Sequence, residues 1–442
     1  MASQQVSANQ KHRAVAVGTM VGAAIEWYDF YIFGIAAALV FNRVFYPDVD
    51  PALGTLLAFG TFATAWFARP LGGIIFSHLG DRLGRKNIML ATLILMGTAT
   101  VVIGLLPDYN TIGVAAPIGL IVLRLLQGIA CGGEWGAATV TAVESAPPGR
   151  RGLFGAFPQM GVAIGLLLSS AVSLIFYALP DDQLLSWGWR VPFLLTAVFV
   201  IVGQYIRRRL PESEDFTEMK RKGDIVRFPM IEAFRRHGKA ILIVFMGQAV
   251  INVVFFTATT FILNYSTVNG TFEKTTVLTA VTLAAVVDLG AILAGGLLAD
   301  KYGARRIYLI ATTSSIFVFA LIFPLVGTGN ILALFLGVSV LFPVVHGLAF
   351  GAQASFFASL FPPNVRLTGM STGFQFSGMA FGGPLPLLAG LLVTMAGGGP
   401  WLLVAYIGLI GLVSTIGALM APTDPKRLFT DAASKKEQTL SV

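Results

Sequence analysis

Apolar stretches of about twenty residues or more recur along this 442-residue chain from Ala14 to near Met420, separated by short polar joints. At ~1.5 Å of helical rise per residue, that length matches the ~30 Å hydrocarbon layer of a bilayer. Twelve are counted, at roughly 14–40, 54–79, 87–106, 114–143, 152–178, 188–206, 240–264, 276–299, 305–326, 330–359, 367–396 and 400–420. Lipid offers the backbone no hydrogen-bond partners, so segments of this length cross it as helices. With 55% hydrophobic and 12% charged residues and a mean hydropathy of +0.78, the chain has more apolar surface than a soluble core can bury. The expected fold is an all-α membrane protein of twelve transmembrane helices. The first apolar segment contains Glu26 and Asp29 and is followed by no small-residue cleavage site, so it is expected to stay in the mature protein. Cys131 lies inside a span without a partner and reads as a small core residue. Neither a disulfide nor a thiolate metal site fits within one chain.

Basic residues fix the expected orientation. Lys11, Arg13, Arg82, Arg85, Lys86, Arg150, Arg151, the long central loop, Lys301, Arg305, Arg306, Arg366 and the C-terminal lysines fall on the side of the N-terminus, 25 of the 30 Lys and Arg. Arg43, Arg190 and Lys274 fall on the other side, and Arg69 and Arg124 lie within the membrane. The positive-inside rule puts both termini in the cytoplasm; the expected location is a bacterial inner membrane. The net charge of +8 has the same origin, and the run RRR at 207–209 is expected at a helix end beside anionic headgroups. No nucleic-acid partner is needed to explain it.

The one long polar segment divides six spans from six. The expected units are an N-terminal six-helix bundle at 1–206, a cytoplasmic linker at 207–239, a C-terminal six-helix bundle at 240–421 and a short cytoplasmic tail at 422–442. Within the linker, EAFRRHG reads either as a surface amphipathic helix or as a solvated connection. The halves echo each other: HLGDRLGRK after span two matches LLADKYGARR after span eight, and PPGRRGLFG after span four matches PPNVRLTGM after span ten. Duplication of this kind implies two pseudo-symmetric bundles with a site near the midplane between them.

Ionisable side chains inside a span are costly and mark function by default. Glu26 and Asp29 in span one, Arg69 in span two, Arg124 and Glu134 in span four and Asp288 in span eight stand out. Four acids against two arginines are unbalanced if all ionise, so at least one carboxyl is expected to hold a proton at physiological pH. Glu134 is the first choice as proton carrier, then Glu26 and Asp29, with Asp288 a further candidate; a purely structural ion-pair network is the competing reading. Trp27, Tyr28, Tyr31, Trp135, Gln159, Gln248, Asn252, Gln353 and Gln375 surround this cluster in sequence depth and suit a solute-binding lining. His346 reads more readily as a core histidine. Arg69 or Arg124 suits a bidentate grip on a carboxylate.

The turn bearing D-R-x-G-R-K resembles the signature loop of the major facilitator superfamily. That resemblance implies gating roles for Asp81, Arg82, Gly84, Arg85 and Lys86, and for their counterparts Asp300, Lys301, Gly303 and Arg305. Ser77 stands where the superfamily has glycine, which implies looser helix packing there, whereas Gly296 keeps the glycine. RLLQGIACGGEWGAA resembles the fourth-span motif of the same superfamily. IEWYDFYIFG, ARPLGGIIF, GGEWGAA, SWGWRVPFLL and VRLTGMSTGFQ look like the metabolite:proton symporter family, over nearly the whole chain. That family takes up α-ketoglutarate, citrate, shikimate and related acids, or proline and betaine. The resemblance implies proton-coupled uptake of a small carboxylate by a monomer embedded in the lipid bilayer, with protons as the coupling ion and no other cofactor. A zwitterion as substrate, or a non-transporting sensor, is the alternative. The 22 residues after Met420 show no heptad pattern, so an osmosensing coiled coil is not expected. The sequence lacks a channel's charged rings or carbonyl filter, an enzyme's metal cluster or nucleophile–base spacing, and an ATPase's G-x-x-x-x-G-K-[ST].

Overall fold

The computed structural model describes residues 2–223, 226, 228–262, 265–266 and 271–423, with residues 2–11 by backbone alone. The tail expected at 422–442 is therefore outside the described residues beyond residue 423, as are the side chains of Lys11 and Lys274. Twelve helical rods follow one another: α1 (Ala2–Leu39), α2 (Pro51–Leu83), α3 (Arg85–Leu105), α4 (Ala115–Glu144), α5 (Arg151–Phe176), α6 (Arg190–Arg208), α7 (Pro229–Phe256), α8 (Lys274–Tyr302), α9 (Ala304–Gly327), α10 (331–359), α11 (366–395) and α12 (Trp401–Met420). From α3 onward these give ten helices long and apolar enough to cross a membrane; α1 and α2, which carry Glu26, Asp29 and Arg69, complete the twelve. Among the described residues four π-helical stretches interrupt the rods: Leu184–Gly188 before α6, Thr257–Phe261 at the end of α7, Phe335–Leu341 in α10 and Gly378–Gly382 in α11.

The packing repeats between halves. α2 lies on α4 as α8 lies on α10, α1 on α5 as α7 on α11, and α3 on α6 as α9 on α12; α5 against α8 and α2 against α11 form the seam between the two six-helix bundles. Small residues permit the closest approaches. A Cβ at Gly132 or Gly128 would strike the α2 backbone at Arg69 or Ala65, and one at Gly351 would strike α8 at Ile292. Across the seam Gly152 of α5 and Gly296 of α8 are in mutual backbone contact. Ser77 is fully buried, so the looser packing expected there is absent. Outward faces carry Phe67, Leu174, Ile201, Phe317 and Leu387, as lipid contact requires.

The paired turns share one backbone solution. Gly84 between α2 and α3 has φ 106°, and Gly303 between α8 and α9 has φ 94°, a region that side-chain-bearing residues avoid. Between the halves, Ser213 caps a short helix, Glu214–Lys222, by accepting from the Phe216 amide. The EAFRRHG segment forms the start of α7, set off from the span by a non-helical His237 (φ −121°, ψ 20°). Below, the side of the assembly that carries this linker is the linker face and the other side the distal face.

Candidate functional site: an arginine cage at the seam and buried ions behind it

Arg69 sits on α2 directly before Pro70, whose missing N–H leaves the Trp66 carbonyl without its helical partner. The Arg69 guanidinium lies 3.9 Å from the ring centre of Trp66, 4.7 Å from Phe30 and 5.4 Å from Trp27. Cation–π contact of this kind offsets part of the cost of burying a guanidinium. Arg69 is only 2% exposed, and its Nε and Nη2 find no partner in the protein. The cage reaches the other half: Trp66 meets the Phe256 ring of α7 edge-on at 5.4 Å, and a Cβ at Gly378 of α11 would lie 3.0 Å from it.

Polar groups from both halves gather near this point. Trp135 stacks on Phe374 of α11 at 3.5 Å and donates Nε1 to Gln159 Oε1 at 3.1 Å. Gln375 donates to the Gly132 carbonyl at 3.0 Å, and Gln248 to Asn252 Oδ1 at 3.2 Å. Left without a protein partner are Tyr31 Oη, Gln159 Nε2, Gln248 Oε1, Asn252 Nδ2, Gln375 Oε1 and both amide atoms of Gln353. Buried groups of this kind are ordinarily satisfied, so these side chains have bonding capacity left to offer a solute. Tyr28 stands apart: its hydroxyl donates to the Pro192 carbonyl at 2.8 Å, inside the N-terminal half. Arg124 also turns inward, bonding Gln127 Oε1 at 3.0 Å and lying over Phe30, Phe33 and Phe62, so that the Phe30 ring is shared by the two arginines.

Behind the cage the buried acids have distinct partners. Asp29 accepts from Thr196 at 2.6 Å and Thr100 at 2.9 Å, and Gln127 links Thr100 to Arg124. Glu26 accepts from the Cys131 thiol at 2.5 Å. Glu134 is ion-paired with Arg207 and accepts from Thr92 at 2.6 Å. This corrects one expectation. Arg207 is not at the headgroups but fully buried, its guanidinium seated where Gly22 lacks a side chain and bonded to the Met89 carbonyl. It supplies a third buried arginine, paired with Glu134, while the fourth acid, Asp288, faces His346 Nδ1 at 3.0 Å. A basic run at a helix end gives no sign of such a seat; Gln127, three residues after Arg124 and on its face, was the legible part.

At the linker face the halves are latched symmetrically. Asp81 accepts from the Thr368 amide at 2.9 Å and its hydroxyl at 2.8 Å, at the N-terminus of α11. Asp300 accepts from the Gly152 amide at 2.6 Å and the Leu153 amide at 2.9 Å, at the N-terminus of α5. Both use the positive end of a helix. Arg85 reaches the Pro363 carbonyl at 2.8 Å, and Arg366 joins Glu144 and Asp215, both at 2.8 Å. The linker residue Glu212 caps the Arg85 amide at 3.1 Å. Of the other turn residues, Lys86 and Arg305 bond carbonyls of their own halves, at Arg208, Ala418 and Leu419, while Arg82 and Lys301 are exposed. Hydrogen bonds between described residues of the two halves lie at this face and, through Gln375, at the midplane.

The Major Facilitator Superfamily profile matches residues 19–385. The chain belongs to the major facilitator superfamily. It is 40% identical over 415 residues to the shikimate transporter of Escherichia coli K12, covering 92% of this chain and 94% of that one. It is 31% identical over 392 residues to a putative proline/betaine transporter of Staphylococcus aureus, covering 88% and 84%. Among solved structures, the proton:xylose symporter XylE bound to 6-bromo-6-deoxy-D-glucose has a TM-score of 0.73 at 15% identity, over 93% of this chain and 95% of that one. The facilitator fold, two pseudo-symmetric six-helix bundles in a membrane, is thus established, and the chain is a transporter-family protein rather than an enzyme.

Proposed function

We propose that this facilitator is a symporter that brings a small organic acid into a bacterial cell together with protons, by alternating access and as a monomer. Both termini then lie in the cytoplasm, the linker face is the cytoplasmic gate, and the segments 1–206 and 240–421 move as the two units about the linker 207–239. One observation carries the reading: Arg69, buried at the seam, has a charged guanidinium with two nitrogens that the protein leaves unpartnered. A carboxylate matches the planar fork of such a group and neutralises its charge. The kinship with a shikimate transporter supports the same substrate class. A betaine-like ligand fits less well, because the aromatic faces that would receive a quaternary ammonium are taken by Arg69 itself.

Protons are the only coupling ion the reading needs. Glu134 is held by Arg207, whereas Glu26 and Asp29 touch only neutral donors. Burying an unpaired carboxylate costs far more than burying the neutral acid, so these two are the proton carriers of the proposal, ahead of Glu134. Purified protein in liposomes tests it, with labelled shikimate as probe. Arg69→Gln removes charge-assisted hydrogen bonds that contribute ~1.5–3 kcal/mol each, so affinity falls at least about tenfold. Glu26→Gln or Asp29→Asn abolishes accumulation driven by a pH gradient but spares exchange of labelled for unlabelled acid. Unchanged affinity in Arg69→Gln refutes the carboxylate grip, and full accumulation in both acid variants refutes the coupling.

A further inference from the structure

A second buried polar pair stands in the C-terminal half. Asp288 of α8 and His346 of α10 are 4% and 3% exposed. Nδ1 of His346 donates to both carboxylate oxygens of Asp288, at 3.0 and 3.1 Å. The imidazole is fixed between Phe255, Phe342 and Phe350, with ring centres 5.3, 5.3 and 5.1 Å away. Asp288 also lines a small cleft at the seam, with Leu166 of α5, Phe255 and Thr259 of α7 and Phe342 of α10. Tyr31, whose hydroxyl has no protein partner, lies within electrostatic reach of both Arg69 and Asp288.

What this pair can bind follows from its lone pairs. A carboxylate has ~four acceptor sites, and one N–H shared between its oxygens leaves most of them free. The His346 N–H bond also fixes where the carboxylate points. The pair therefore takes hydrogen-bond donors, while Arg69 takes an acceptor. None of Trp27, Phe30 and Trp66, the residues caging Arg69, lines the Asp288 cleft.

We infer that Asp288, held in place by His346, is the hydroxyl-reading pole of the substrate site, and that the transported acid carries hydroxyl groups in addition to its carboxylate. The inference rests on Arg69 as the carboxylate pole, and the test separates the two. Full-length protein in detergent is titrated with shikimate, with cyclohex-1-ene-1-carboxylate as an analogue without hydroxyls, and with L-proline. Wild type prefers shikimate to the cyclohexene acid by at least about tenfold, because a site built to bond hydroxyls rejects a ligand that lacks them. Asp288→Asn and His346→Gln each reduce that preference to roughly threefold or less while leaving the cyclohexene acid's affinity within about twofold. Melting temperatures show whether each variant is folded, and the two variants serve as independent readouts. Equal binding of both acids by wild type, or an equal loss for both acids in both variants, overturns the inference. Arg69→Gln weakens both acids alike. If it weakens neither while the hydroxyl preference persists, the carboxylate pole is wrong and the hydroxyl pole stands. If only L-proline binds, both are wrong.

Discussion

Asp300 offers the cleanest test of the latch, because its partners are two backbone amides and no cation. Asp300→Asn keeps one oxygen as acceptor but turns an NH₂ group toward the second N–H. The Gly152 bond at 2.6 Å or the Leu153 bond at 2.9 Å is then lost, and a first-turn amide of α5 goes unsatisfied. A charge-assisted bond contributes ~1.5–3 kcal/mol, and a negative charge at a helix N-terminus ~0.3–1 kcal/mol. The closed linker face is thus destabilised by about 2–4 kcal/mol, which shifts the closed-to-open ratio by roughly 30- to 700-fold. Spin labels at Arg150→Cys and Lys301→Cys, both exposed and on opposite sides of the latch, report the distance by pulsed electron resonance; native Cys131 is buried and does not compete. The Asn variant gains a long-distance population absent without it. An unchanged distance distribution, with unchanged exchange of substrate, refutes the latch.

Two further outcomes are expected. Gly22→Ala places a methyl group on the Arg207 guanidinium and separates it from Glu134; breaking a buried pair costs ~3–5 kcal/mol, so the melting temperature falls by several degrees, and an unaltered value shows that the pair does not depend on this seat. A reporter after Lys222 reads cytoplasmic and one inserted at Asp181 reads external; the reverse pattern overturns the orientation drawn from the basic residues.

Much of this architecture is legible in the sequence because lipid allows few solutions. Apolar length alone gives the twelve rods, and the doubled Asp81 and Asp300 turns announce two halves whose latches prove to be related by the same symmetry. Arg69, Gln248 and Asn252 stand out as polar groups at membrane depth. Arg207 does not, since RRR at a helix end looks like any headgroup anchor; only the missing side chain of Gly22, 185 positions earlier in the chain, makes room for it. The Thr100 and Thr196 hydroxyls on Asp29 are equally hidden, because threonine in a span bonds its own helix as readily as a distant carboxylate. Partner choice is set by tertiary contact, which spacing along one helix does not encode.

The π-helical stretches are distributed unevenly, and that has a mechanical meaning. Among the described residues, three of the four lie at the end of α7 and within α10 and α11 of the C-terminal half, while the N-terminal half has one at the entrance to α6 and is cross-braced by Arg207, Glu134, Asp29 and Arg124. A π turn holds one residue more than an α turn and can pass that surplus along the helix without losing hydrogen bonds in net. The C-terminal half therefore has built-in joints and the N-terminal half has struts. The expected motion keeps the braced bundle as the fixed jaw and bends the jointed one, and amide hydrogen exchange measured with substrate present should then quicken around Thr257–Phe261 and Gly378–Gly382 while the helices around Asp29 stay protected.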